Sequence, residues 1–173
     1  NCTIILSFYR TIGLTTYAEK EYDNALKFNP NDWLAYRGKG LSNLDDLVKQ
    51  LDNFHKAVSL NHGPELSSLF ISLGSSYLQA GFFEKSKYYF QKAYDLDGNT
   101  FQYLRNQYSI EYFQGHFEKA GEFLGKIFAL DTNNIGTLSS LGFNYMFLGM
   151  HKESLKYFEK WFNSIKSVDP VSM

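Results

Sequence analysis

Between residues 67 and 100 the apolar and small positions fall three or four apart: Leu73, Gly74, Tyr77 and Gly81 first, then Phe83, Phe90 and Ala93. That interval places each set on one face of a helix. The stretch therefore predicts two helices packed face to face, with Gly81 between them as the left-handed residue that ends the first. Gly74 carries no side chain and is expected to let the second helix approach its backbone, which offsets the roughly 1 kcal/mol of helix propensity a glycine loses. Ala93 stays small where a following helix pair would pack. The same pattern returns at Leu141, Gly142, Tyr145, Gly149 and Phe158, and the opening stretch keeps Tyr9, Gly13, Ala18, Tyr22, Ala25 and Pro30.

The recurrence has a fixed period. Gly13, Gly81, Gly115 and Gly149 are separated by multiples of 34 residues, and the missing member at position 47 is Leu. Similar runs follow three of them: GFFEKSKYYFQKA from 81, GHFEKAGEFLGKI from 115 and GMHKESLKYFEKW from 149. Turns at 29–32 (NPND), 97–100 (DGNT) and 131–134 (DTNN) put Asn, Asp or Thr where helix N-caps are wanted. Pro64 after Gly63 is expected at the first position of a helix, and Pro30, Pro64 and Pro170 all avoid helix interiors. Two stretches depart from the pattern. Phe54 and Ala57 arrive two residues early after Gly40, which predicts a shortened turn near LSNLDD and a longer link before Pro64. In the fourth period Gln107, Tyr108 and Glu111 replace Leu, Gly and Tyr, and Tyr108 is expected to push its two helices apart or tilt them.

A 34-residue period with these markers resembles the tetratricopeptide repeat family. The resemblance covers essentially the whole chain in five repeats, 1–32, 33–66, 67–100, 101–134 and 135–168, with 169–173 as a tail. It implies an all-α fold, a right-handed α-solenoid of about five helix–turn–helix units and roughly ten antiparallel helices. Residues 1–173 are then one solenoid, read as a segment of a longer protein because the chain opens on Asn1 without an initiator Met.

Composition narrows the function. The apolar fraction is 44%, no apolar run approaches the roughly 18–20 residues of a membrane span, and NCTIILSF lacks the build of a signal peptide. The expected compartment is the cytoplasm, or the periplasm if a signal peptide was removed. A net charge of −1 with interspersed lysines and acids gives no basic stripe for nucleic acid. Cys2 is the only cysteine, so no internal disulfide or thiolate cluster forms. His55, His62, His116 and His151 show no metal-ligand spacing and are expected as exposed turn residues. The glycines do not form a phosphate-cradling loop, and no Ser sits in a nucleophile elbow. The expectation is a non-enzyme with no cofactor and no metal.

The resemblance implies binding on the concave face, lined by the first helix of each repeat. Projected on the helical period, the inward residues are Thr3, Ser7 and Arg10, then Leu34, Arg37 and Leu41, then Ser68, Ile71, Ser75 and Leu78. The fourth repeat adds Gln102, Arg105, Ser109, Tyr112 and Phe113, and the fifth adds Gly136, Ser139, Phe143, Met146 and Phe147. The two-carboxylate clamp that some family members use for chaperone tails needs Lys and Asn one turn apart, and these helices lack it. An apolar groove with isolated arginines suits an amphipathic helix or an extended apolar peptide, with Tyr112, Phe143 and Arg105 carrying the contact. On the last helix Trp161, Phe162 and Ile165 are expected to meet a further repeat or a second copy in a homodimer. The leading function is a protein-interaction scaffold whose partner is a protein or peptide. The alternative is a sensory or regulatory domain of a larger signalling or transcription-regulator protein, bacterial by its lysine-rich composition, and a weaker third is a cell-envelope assembly factor.

Overall fold

The computed structural model describes residues 15–43 and 45–168. The inward positions of the first repeat, Thr3, Ser7 and Arg10, lie outside the described residues, as do Cys2, Tyr9, Gly13 and Pro170. All regular elements among the described residues are helices: α1 (Thr15–Phe28), α2 (Trp33–Ser42), α3 (Leu47–Leu60), α4 (Leu66–Gln79), α5 (Phe83–Asp97), α6 (Thr100–Phe113), α7 (Phe117–Leu130), α8 (Ile135–Phe147) and α9 (His151–Val168). They divide into two compact units, one ending at Gly98 and the other starting at Asn99.

In the first unit α2/α3 and α4/α5 are helical hairpins, with α1 packed on α2 and α3 on α4. Its core joins Phe54, Leu73 and Tyr77, flanked by Leu41, Leu51, Val58 and Tyr89. A smaller cluster ties Ala18 and Tyr22 to Ala35. In the second unit α6/α7 and α8/α9 are the hairpins and α7 packs on α8. There Leu124, Ile127 and Leu141 are buried among Phe101, Leu104, Tyr108, Phe128, Tyr145 and Tyr157.

Three hairpins close through one contact, a phenyl ring laid over a helix glycine. A Cβ on Gly40 would sit 2.7 Å from the Phe54 ring, on Gly74 2.5 Å from Phe90, and on Gly142 2.7 Å from Phe158. The close approach expected at Gly74 is made by a ring: Phe90 of the second helix fills the space the glycine leaves. Tyr77 stacks on Tyr89 with centroids 5.5 Å apart, and Tyr145 on Tyr157 at 5.4 Å, so the α4/α5 and α8/α9 hairpins repeat a second contact as well.

Helix ends follow the residues at them. Gly81, Gly115 and Gly149 adopt φ of 76°, 77° and 72°, and the next N–H reaches back to the carbonyl of Tyr77, Glu111 or Tyr145 at 2.9 Å. That is the Schellman ending expected of a C′ glycine. Asp32, Asn99 and Asn134 cap α2, α6 and α8, each accepting a first-turn N–H within 3.0 Å. Asp46 caps α3 in the same way.

Three expectations are corrected. Pro64 does not begin a helix: α4 starts at Leu66, and Asn61 Oδ1 accepts the Gly63 N–H at 2.9 Å to shape a turn through Pro64. The early arrival of Phe54 does not shorten the turn. It shortens α2, which has 10 residues where α4 has 14, because Asn43 ends the helix with both its backbone N–H and its Nδ2 on the Lys39 carbonyl. Third, His55 is not a turn residue. It lies within α3, shares a 2.9 Å hydrogen bond with the Tyr77 hydroxyl and packs edge-on to Tyr77 and Tyr89.

Two predictions follow from this packing. Gly74→Ala drives a methyl into the Phe90 ring and should cost about 1–3 kcal/mol, whereas Gly125→Ala at an exposed position of α7, with nothing within 4 Å of the new Cβ, should stabilise by about 0.5–1 kcal/mol; urea titrations measure both. Burial, opposed by Asp52 and reinforced by Lys85, holds the His55 imidazole below its ordinary value. The unfolded chain then takes up a proton that folded His55 resists, so stability falls as pH drops through about 6.5. Wild type should lose more thermal stability than His55→Gln between about pH 7.5 and 5.5, checked by paired melting curves.

Candidate functional site

In the second unit, α6 and α8 present residues at helical spacing from two ends of one face. Toward their N-terminal halves lies a cavity of about 320 Å³ lined by Arg105, Tyr108 and Ser109 of α6, Leu124 and Ile127 of α7, and Asn134, Gly136, Thr137, Ser139 and Ser140 at the start of α8. Most hydroxyls here are engaged with their own helix. Ser109 donates to the Arg105 carbonyl at 3.0 Å, and Ser139 and Ser140 donate to that of Gly136 at 3.0 and 2.9 Å. The Thr137 hydroxyl donates to Asn134 Oδ1 at 3.1 Å. Burial pushes the Tyr108 phenol above its usual range, against a hydrogen bond with Ser140. Arg105 is exposed and forms no ion pair among the described residues.

The C-terminal halves of the same helices carry rings. Phe117, at the start of α7, stacks on Phe147 with centroids 4.8 Å apart. Tyr112 stands edge-on to Phe117 and Phe147 at 5.6 and 5.7 Å, and to Phe113 at 6.1 Å. Phe143 leans edge-on against Phe158 at 5.0 Å. Although each ring is braced, Phe113, Phe143 and Phe147 remain 57%, 48% and 49% exposed, and Met146 41%. Tyr112 is half-buried by its neighbours.

The inward residues of the first unit fare differently. Leu41 is half-buried on the Phe54–Leu73–Tyr77 core, and Leu78 is buried and offers no free apolar surface. Ile71 is half-buried. Arg37 is half-buried too, with a buried Nε that has no acceptor among the described residues. On α9, Phe162 and Ile165 are exposed with Lys166 above the Phe162 ring, and Trp161 is half-buried edge-on to Phe158. Trp161 holds the place, 34 residues on, of Ile127, which is buried where α7 meets α8. Sequence reasoning missed Tyr108, Ser140 and Asn134 as cavity residues. The signal was the paired departure at 108 and 124, where Tyr and Leu stand in place of Gly and Phe.

Among the described residues no group of three or more His, Cys, Asp or Glu side chains could hold a metal ion, and no helix is long and apolar enough to cross a membrane. His116 Nδ1 lies 2.9 Å from Glu111, an exposed pair at the α6/α7 turn.

No family model matches the chain. It is 31% identical over 121 residues to the protein CTR9 homolog of Arabidopsis thaliana, a match covering 66% of this chain and 11% of that protein. The chain thus spans about a tenth of the length of the curated relative it matches. Among solved structures it is similar to a tetratricopeptide repeat protein from Parabacteroides merdae, with a TM-score of 0.82, 15% identity, and coverage of 94% of this chain and 63% of that one. PilW, a type IV pilus biogenesis factor, gives a TM-score of 0.78 at 20% identity over 95% of this chain and 76% of its own. YrrB, described as a TPR protein with an unusual peptide-binding site, gives 0.60 at 18% over 92% and 82%. These likenesses establish the all-α helical-repeat fold.

The exchange at 108 and 124 can be reversed experimentally. Leu124→Phe alone should overfill the cavity against Tyr108 and cost about 1–3 kcal/mol. Adding Tyr108→Gly restores the ring-over-glycine pair and should recover most of that loss, as measured by a double-mutant cycle in urea.

Proposed function

We propose that this chain, which has the tetratricopeptide-repeat fold, is a non-catalytic interaction module that holds a peptide or protein segment along the α6–α8 face. The observation that carries the reading is the set of exposed but braced rings at Phe113, Phe143 and Phe147. Apolar side chains left about half open on a rigid support bury more surface when a partner covers them, and they lose little entropy in doing so. Covering Phe113, Phe143, Met146 and Phe147 would remove about half of each side chain from water, worth roughly 1 kcal/mol apiece. That gross gain of about 4 kcal/mol only matches the lower end of the cost of association, so binding a short segment also requires polar contacts and is weak and reversible.

The fold likeness to a protein described as having a peptide-binding site is consistent with this reading. Tyr112 is its organising residue, since it touches both Phe117 and Phe147 and aligns the exposed rings. Selection from a displayed random-peptide library, followed by titration of the recovered peptides, tests it. The Tyr112→Ala/Phe143→Ala double variant, shown folded by circular dichroism, should bind at least about tenfold more weakly. Undiminished affinity in that folded variant would sink the reading.

A further inference from the structure

The fourth repeat breaks the packing rule that the other hairpins keep. Where they pair Gly with Phe, it pairs Tyr108 with Leu124. Both residues line the cavity beside Arg105. Leu is shorter than Phe, and the ring in this hairpin is carried by Tyr108 instead, which lines the cavity and turns its phenol toward Ser140. Ile110 and Leu124 nevertheless stay fully buried, 0% and 2% exposed, so the hairpin keeps a closed core beneath the opening.

We propose that this cavity is a subsite for one carboxylate side chain of the bound segment, an Asp or Glu placed about 10 Å from a bulky apolar residue that rests on the Phe143–Phe147 end. The proposal rests on the preceding reading and gives it a partner chemistry. Charge decides the ligand. Among the described residues, Arg105 is the only charged side chain lining the cavity and forms no ion pair. Across from it, the first turn of α8 lines the wall through Gly136 and Thr137. The Thr137 N–H is taken by the Asn134 cap, so the backbone contribution there is the Gly136 N–H, which has no intrahelical partner, together with the helix dipole. The cavity's serine hydroxyls already donate to their own helices, so the donors left for an anion are the Arg105 guanidinium, the Asn134 side-chain amide and the Gly136 backbone N–H. One arginine with one helix end matches a single negative charge in a bidentate pair, rather than a dianion.

Spacing defines the rest of the ligand. Arg105 and Tyr112 are seven residues apart on α6, about 10.5 Å along the axis. An extended peptide advances about 3.3 Å per residue, so an acidic residue in the cavity and an apolar one on the rings stand three positions apart.

Capped peptides with a Glu-Ala-Ala-Phe centre in a Gly-Ser frame, together with Gln-for-Glu and Ala-for-Phe versions, provide the test. Each is titrated into the isotopically labelled chain and followed by amide shifts. The Glu-Phe peptide should perturb Gly136, Ser139 and Phe143 and bind at least about fivefold more tightly than the Gln version. Arg105→Gln, an exposed change whose unaltered melting temperature is checked, should abolish that difference, and so should raising the salt. Equal binding of the Glu and Gln peptides would overturn the carboxylate subsite while leaving the aromatic groove intact. Failure of both Phe-containing peptides to bind would overturn both readings.

Discussion

Three of the four described hairpins are held by a ring seated over a glycine. At Gly40, Gly74 and Gly142 a methyl group in place of hydrogen would collide with Phe54, Phe90 or Phe158, so the second helix can hold its ring there only if the first helix carries no side chain. This contact is shape-specific in a way that general apolar burial is not. It fixes which residue of one helix faces which residue of the other, and the Tyr77–Tyr89 and Tyr145–Tyr157 stacks then fall into register one turn away. The lock also outranks helix length. In α2/α3 the ring arrives two residues early, and the helix gives up its last turn at Asn43 while Gly40 and Phe54 still meet.

That hierarchy explains what was legible in the chain. The period, the C′ glycines and the Asp and Asn caps are local consequences of backbone geometry, so they show as letters at set intervals. Leu78 was misread because helical projection gives a direction and not a depth: it lies on the inward side of α4, yet it is buried. Pro64 was misplaced by one turn because the Asn61 side chain builds a competing turn ahead of α4, and such side-chain choices are not periodic. The contacts of His55 are with two tyrosines more than twenty residues away, which no local pattern announces.

The site was legible in part. The aromatic end stood out by composition, and its rings do reach the surface, each supported from beneath by a neighbour. The polar end did not stand out. Tyr108 alone reads as a defect that should force two helices apart, and only Leu124 on the facing helix shows that volume was exchanged rather than added. A single substitution in a repeat is a perturbation, whereas a matched pair across a contact is a construction.

The nature of the lock also bears on where a repeat protein can alter itself. Gly115 keeps its left-handed turn and α7 its start at Phe117 although the glycine of α6 and the phenylalanine of α7 are both gone. The lock is made of side chains, so exchanging its two members leaves the backbone that defines the hairpin in place. A hairpin that retains Gly and Phe has its interior filled at this point by the ring and has no room there for a ligand group. An interior subsite of this kind therefore requires the pair to change together, and in α6/α7 the pair has changed. The fourth repeat is the least regular of the set by sequence for the same physical reason that it holds a cavity.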